Sequence, residues 1–124
     1  MIYSTQTLLP LTTYGVASGN YDGVSTAFIG NAIPAANFYG GQGSIQTATL
    51  QVTDFRGVIT LQASLNDWTE QAMWFDINSY GNATVPTTDT AAITIAGNFV
   101  WVRAAVTEFT AGAVNQANLL YEFN

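Results

Sequence analysis

Apolar and polar positions along this chain alternate with a period of two wherever a rhythm can be read. Over residues 45–52, IQTATLQV puts Gln46, Ala48, Leu50 and Val52 on one face. Over residues 58–65, VITLQASL sets Ile59, Leu61, Ala63 and Leu65 against Thr60, Gln62 and Ser64. Successive side chains of a strand point to opposite faces, so this alternation predicts half-buried strands. Asp54, Phe55, Arg56 and Gly57 lie between them and predict a hairpin loop. Over residues 99–107, Val100, Val102, Ala104 and Val106 alternate with Phe99, Trp101, Arg103 and Ala105. Residues 114–123 end with Leu119, Tyr121 and Phe123 in register, and the link at 108–113, which contains Gly112, predicts a second hairpin loop.

Shorter strands are predicted at residues 2–8, 25–29, 73–77 and 91–95, separated by turn residues such as Gly40, Gly41 and Gly43, Gly81 and Asn82, and Pro86. Seventeen threonines and a shortage of strong helix formers point the same way. The one helical candidate is a single turn at 67–73, capped by Asp67 or Thr69. The expected fold is all-β: an antiparallel β-sandwich or jelly-roll of about eight strands. One domain is expected over residues 1–124, with residues 1–40, where alternation is less clean, forming an arm or irregular extension.

Composition narrows the chemistry. The chain has 124 residues, 48% of them hydrophobic, which suffices for a packed core. Only 8% are charged: two arginines, no lysine and eight carboxylates, for a formal net charge of −6. Such a chain offers too few cations for nucleic acid or an anionic membrane surface. No apolar run approaches a membrane span, and residues 1–10 lack the basic start and apolar stretch of a secretory signal. Synthesis in the cytoplasm without a signal peptide is therefore expected. Histidine and cysteine are absent, and with them the commonest general base, metal ligand and nucleophile. No metal, cofactor or catalytic residue is expected, and the protein is not expected to be an enzyme. A carboxylate-pair hydrolase is the one mainstream enzyme class left, with Asp67, Glu70 and Asp76 as its densest acidic cluster.

A few residues invite a binding interpretation. Trp68 and Trp74, beside Asn66, Asp67 and Asp76, suit a sugar-stacking platform with polar clamps. The contact residues on that reading are Asn66, Asp67, Trp68, Glu70 and Gln71, serving a glycan or a protein partner. The competing expectation places Trp74 and Trp101 in the core, with Trp68 over a loop. Asn20, Tyr21, Asp22 and Gly23 resemble a fragment of an oxygen-rich calcium loop but read better as a turn. Arg103 interrupts an apolar strand and needs a partner, for which Glu108, Asp54 and Asp76 are the candidates, within the chain or across a subunit boundary. Strand edges are usually guarded by charge, lysine above all, and this chain has no lysine. Either the edges are closed within the chain or sister copies cover them.

Four segments in order carry a family resemblance: residues 59–65 (ITLQASL), 74–77 (WFDI), 97–104 (GNFVWVRA) and 109–112 (FTAG). The series resembles small β-sandwich virion structural proteins of tailed bacteriophages, particularly those infecting cyanobacteria. The resemblance spans about 70 residues and implies an assembly role with no catalytic residues. It implies a virion protein docking as a symmetric oligomer, on the capsid as a decoration or cement protein, or on the tail, neck or baseplate. Its partners would be the major capsid or tail protein and sister copies. The strand with "SL" and a later tryptophan, followed by a strand with an aromatic residue before Val-Arg (Trp101, Val102, Arg103), is also similar to discoidin-like carbohydrate-binding sandwiches. That resemblance implies a module recognising a host surface glycan. Those domains are generally longer and often carry a disulfide that this chain lacks.

Overall fold

The structure, a computed structural model, describes residues 2–35, 45–65, 73–97 and 99–123, with the backbone alone described at 2–4 and 121–123. Its strands are β1 (Ile2–Leu9), β2 (Thr12–Thr13), β3 (Phe28–Ile29), β4 (Ile33–Pro34), β5 (Ile45–Ser64), β6 (Phe75–Tyr80), β7 (Thr87–Ala96) and β8 (Trp101–Phe123). All pairings among them are antiparallel and no helix occurs among the described residues, so the protein is all-β.

Two long strands carry the architecture. β5 has 20 residues and β8 has 23, and they pair from Gln46 opposite Tyr121 to Ser64 opposite Trp101. On the outer side of β5, β7 flanks residues 45–55 and β6 flanks residues 59–63. On the outer side of β8, β1 and β2 flank its C-terminal half, while β3 and β4 flank its N-terminal half. Among the described residues the result is an open eight-stranded sheet.

The two predicted hairpin loops are not loops. Residues 54–57 and 108–113 lie inside β5 and β8, as bends opposite each other. A hairpin would require each strand to reverse and pair with itself, whereas here each half finds its partner in the other long strand. The pairing register slips at Thr53/Arg56 and Arg56/Val58, which marks bulges that turn the ribbon without ending the ladder. Asp54 (φ 49°) and Glu108 (φ 54°) take left-handed backbone, and Gly112 does so at φ 82°. The Asp54 N–H is held by Thr88 Oγ1 at 2.9 Å.

The bend lets both halves bury their inner faces in one core, which gives the sheet its sandwich-like form. Along β5 the buried positions are Gln46, Ala48, Leu50 and Val52, then Phe55, Ile59, Leu61 and Ala63. Alternation therefore slips by one residue between Val52 and Phe55, as a bulge requires. β8 contributes Val102, Ala104, Val106, Phe109, Val114, Ala117 and Leu119 to the same cluster. Gln46 is only 1% exposed, yet its Nε2 donates to the carbonyls of Ile95 (3.4 Å) and Gly97 (3.3 Å). Leu65, expected on the core face, lies beyond the end of β5 and is 59% exposed.

Residues 2–35 lie against β8. The backbone of β1 pairs with β8 along its length, and residues 14–28 bring three rings to the corner. Phe109 stands there with its ring centroid 5.6 Å from Tyr14, 5.2 Å from Tyr21, 6.0 Å from Phe28 and 5.6 Å from Phe55. Aromatic pairs at these separations add to the burial of their area, so ring packing reinforces the bend.

Candidate functional site

Asn66, Asp67, Trp68, Glu70 and Gln71, the residues predicted to contact a glycan or partner, lie outside the described residues, as does most of the predicted helical turn at 67–73. The chain on either side of that segment is described. Leu65, Met73 and Phe75 are exposed there, and Phe75 packs edge-on against Phe99 at 5.8 Å.

The second half of the sheet, formed by β3, β4, β6 and the adjoining parts of β5 and β8, carries a polar ladder on its outer face. Gln62 and Arg103 are direct cross-strand partners, and Asp76 sits opposite Gln62 on β6. Arg103 Nε donates to Gln62 Oε1 at 2.7 Å, and Gln62 Nε2 donates to Asp76 Oδ1 at 2.9 Å. The guanidinium lies 4.2 Å from the centroid of the Trp74 ring, a cation–π stack. Burial lowers the Arg103 pKa from its usual value, by penalising the charged form. Of the carboxylates expected beside Arg103, Asp76 is reached through Gln62. Glu108 and Asp54 lie instead at the two bends. Trp74 and Trp101 are half-buried rather than core residues, because Val102 and Ala104 take the inward positions of β8 and leave Trp101 and Arg103 outward. A shallow apolar groove of about 550 Å³ adjoins this ladder, lined by Ala27, Phe28, Ile29, Gln62, Ala105 and Thr107 among others.

The first half of the sheet presents a different outer face. The register aligns Thr47, Thr49 and Gln51 of β5 with Thr94, Ala92 and Thr90 of β7, and with Leu120, Asn118 and Gln116 of β8. Thr5 and Thr7 of β1 extend the rows opposite Leu120 and Asn118. Neutral contacts tie the amides together: Gln116 Nε2 donates to Gln51 Oε1 (3.4 Å) and Asn118 Nδ2 to Gln116 Oε1 (3.3 Å). None of these eleven side chains is ionisable. β7 closes this face on one side. It pairs with β5 alone among the described residues, runs for ten residues without Gly, Pro or Lys, and carries Asp89 as its one charge. Tyr80 donates its hydroxyl proton to Asp89 Oδ2 at 3.0 Å, and burial followed by the neighbouring carboxylate pushes the Tyr80 pKa up to about 12.

The loop at residues 20–23, which resembles a fragment of a calcium loop, is a self-satisfied turn. Asp22 accepts hydrogen bonds from Val24 N–H (2.8 Å), Ser25 N–H (2.7 Å) and Ser25 Oγ (2.6 Å), which hold its carboxyl down at a pKa of about 2. Asn20 reaches away to the Ile29 carbonyl and Asn31 Oδ1, both at 2.9 Å. Asn82, Ala83 and Thr84, which match a glycan-acceptor pattern, form a similar turn in which Asn82 Oδ1 accepts from Thr84 and Val85.

That Arg103 needs a partner and that the edges lack lysine are both legible in the sequence. Gln62, a neutral amide 41 positions from Arg103, is not, because only the strand register brings the two together. Comparison of the chain with protein-family models, curated proteins and solved structures gives no significant match.

Proposed function

We propose that this protein is a structural assembly subunit: a virion component of a tailed phage that docks as a symmetric oligomer. Its place would be the capsid, as a decoration or cement protein, or the tail, neck or baseplate. The observation that carries the assembly reading is the first half of the sheet, where eleven aligned outer-face positions carry no ionisable side chain and are bordered by the ten-residue edge β7. An open strand edge is a template for another chain, and soluble monomers ordinarily guard it with charge or proline. The cores of protein interfaces are depleted in charge, which is the character of this face. The virion assignment draws on the resemblance of the ITLQASL, WFDI, GNFVWVRA and FTAG segments to phage β-sandwich proteins. On this reading the work of the molecule is complementarity repeated around a symmetry axis, which adds avidity without new chemistry.

The test is the solution mass of the purified chain by light scattering over a concentration series. A closed oligomer of fixed stoichiometry is expected. A monomer at every concentration that also binds a glycan would replace this reading with that of a carbohydrate-binding module.

A further inference from the structure

We infer that β7 is a docking edge for the β7 of a second copy, the two strands pairing antiparallel about a two-fold axis at Ala92. The inference rests on the assembly reading and names the surface that serves it.

The other edges fit less well. β2, β3 and β4 have two residues each. β6 has six residues and carries Asp76. The Leu8 carbonyl of β1 packs so close to Gly30 that a Cβ added there would stand 2.7 Å from the oxygen, so this edge is partly covered. β7 has ten residues and an uninterrupted ladder to β5 from Thr90 to Ala96.

The occupant follows from symmetry and charge. In an antiparallel pair about a two-fold axis, the numbers of facing residues sum to an even value. Outer-face residues then meet outer-face residues, and core-face residues meet core-face residues. An axis at Ala92 sets Thr90 against Thr94 twice, Thr88 against Ala96 and Ala91 against Ile93. Facing threonines are favourable cross-strand partners, and the alanines let the chains approach. Asp89 falls opposite Ile95, not opposite its own mate. The two Asp89 positions are then six residues apart along the ladder, roughly 20 Å at strand spacing. That exceeds the screening length of about 8–10 Å at ordinary ionic strength. Two chains of formal charge −6 therefore meet with no close like-charge pair along the edge. The pairing also joins the uncharged rows of the two outer faces into one continuous surface.

The experiment uses the full chain and three lysine variants, with folding checked by circular dichroism. Thr90→Lys and Ala92→Lys place charge on the exposed outer face of β7, while Ser79→Lys places the same charge at an exposed position of β6, in the other half of the sheet. Sedimentation equilibrium should show the β7 variants dissociating at concentrations about tenfold or more above those of the parent, with Ser79→Lys unchanged. Because the chain has no cysteine, Ala92→Cys supplies a second readout. It should form a disulfide-linked dimer on mild oxidation, and Ser79→Cys should not. An oligomer that withstands both β7 lysines, or an Ala92→Cys variant that cross-links no better than Ser79→Cys, overturns the β7 edge and leaves the assembly reading standing. A parent that is monomeric throughout overturns both.

Discussion

Arg103 shows how a cation is accommodated in a chain that has only two. Its Nε hydrogen bond to Gln62 and its contact with the Trp74 ring fix the guanidinium in place, and Gln62 in turn donates to Asp76. A hydrogen bond to a charged group and a partly desolvated cation–π contact are each worth on the order of 1–2 kcal/mol. Arg103→Ala should thus lower stability by about 2 kcal/mol in chemical denaturation and alter tryptophan emission. Arg103→Lys should recover only part of this, because an ammonium lacks the planar stack. Two titrations belong to the same scale. With its carboxyl at a pKa of about 2, Asp22 contributes stability that is present above the ordinary carboxylate range near 4 and is lost as pH falls through 2. The melting temperature of Asp22→Asn should accordingly fall less than that of the parent between pH 5 and pH 2. Tyr80 works in the opposite direction: its pKa is raised to about 12, so its contribution is present below pH 10 and lost as pH rises through 12. In Asp89→Asn the Tyr80 midpoint should drop toward the ordinary value, as ultraviolet titration would show.

At the scale of elements, the bends in β5 and β8 decide the fold, and they were the least legible part of the sequence. Period-two alternation located both inward faces, and Ala48, Leu50, Ile59, Leu61, Val102 and Val106 are all fully buried as it requires. A break in alternation that contains glycine looks the same whether the chain reverses or bulges, so residues 54–57 and 108–113 read as hairpins. What separates the two cases is long-range pairing, such as Leu50 with Ala117 and Leu61 with Ala104, and no local rule reports that. The left-handed backbone at Asp54 and Glu108 had no glycine to announce it. Of the two expectations for the tryptophans, the core placement of Trp74 and Trp101 fails for a related reason: strand parity sets Trp101 and Arg103 outward, and Trp74 lies against the Arg103 guanidinium. Gly112 tests the bend. A Cβ there would collide with the Asp54 carbonyl on the facing strand, on top of the cost of left-handed backbone. Gly112→Ala should destabilise the protein by about 3 kcal/mol or more. Gly15 also has positive φ (87°) but open space where the Cβ would go, so Gly15→Ala should cost only about 1 kcal/mol. Equal losses in thermal denaturation would mean that the two long strands do not approach at the bend as described.

For the whole molecule, one open sheet folded over a single core leaves its sides unequal. Near the groove, the outer face carries a ladder of Arg103, Gln62 and Asp76 that is satisfied within the chain. The opposite half offers uncharged rows of Thr, Ala, Asn and Gln and ends in β7. That difference underlies the assembly proposal, and it was half legible: the missing lysines were plain in the composition, but which edge they left open required the strand order. Amide hydrogen exchange of the parent protein at low and high concentration tests this account most directly. The central residues of β5 and β8, paired on both sides, should be protected at every concentration, while residues 88–96 of β7 should gain protection as concentration rises. Fast exchange in β7 that does not change with concentration would contradict the claim that this edge is built to be covered.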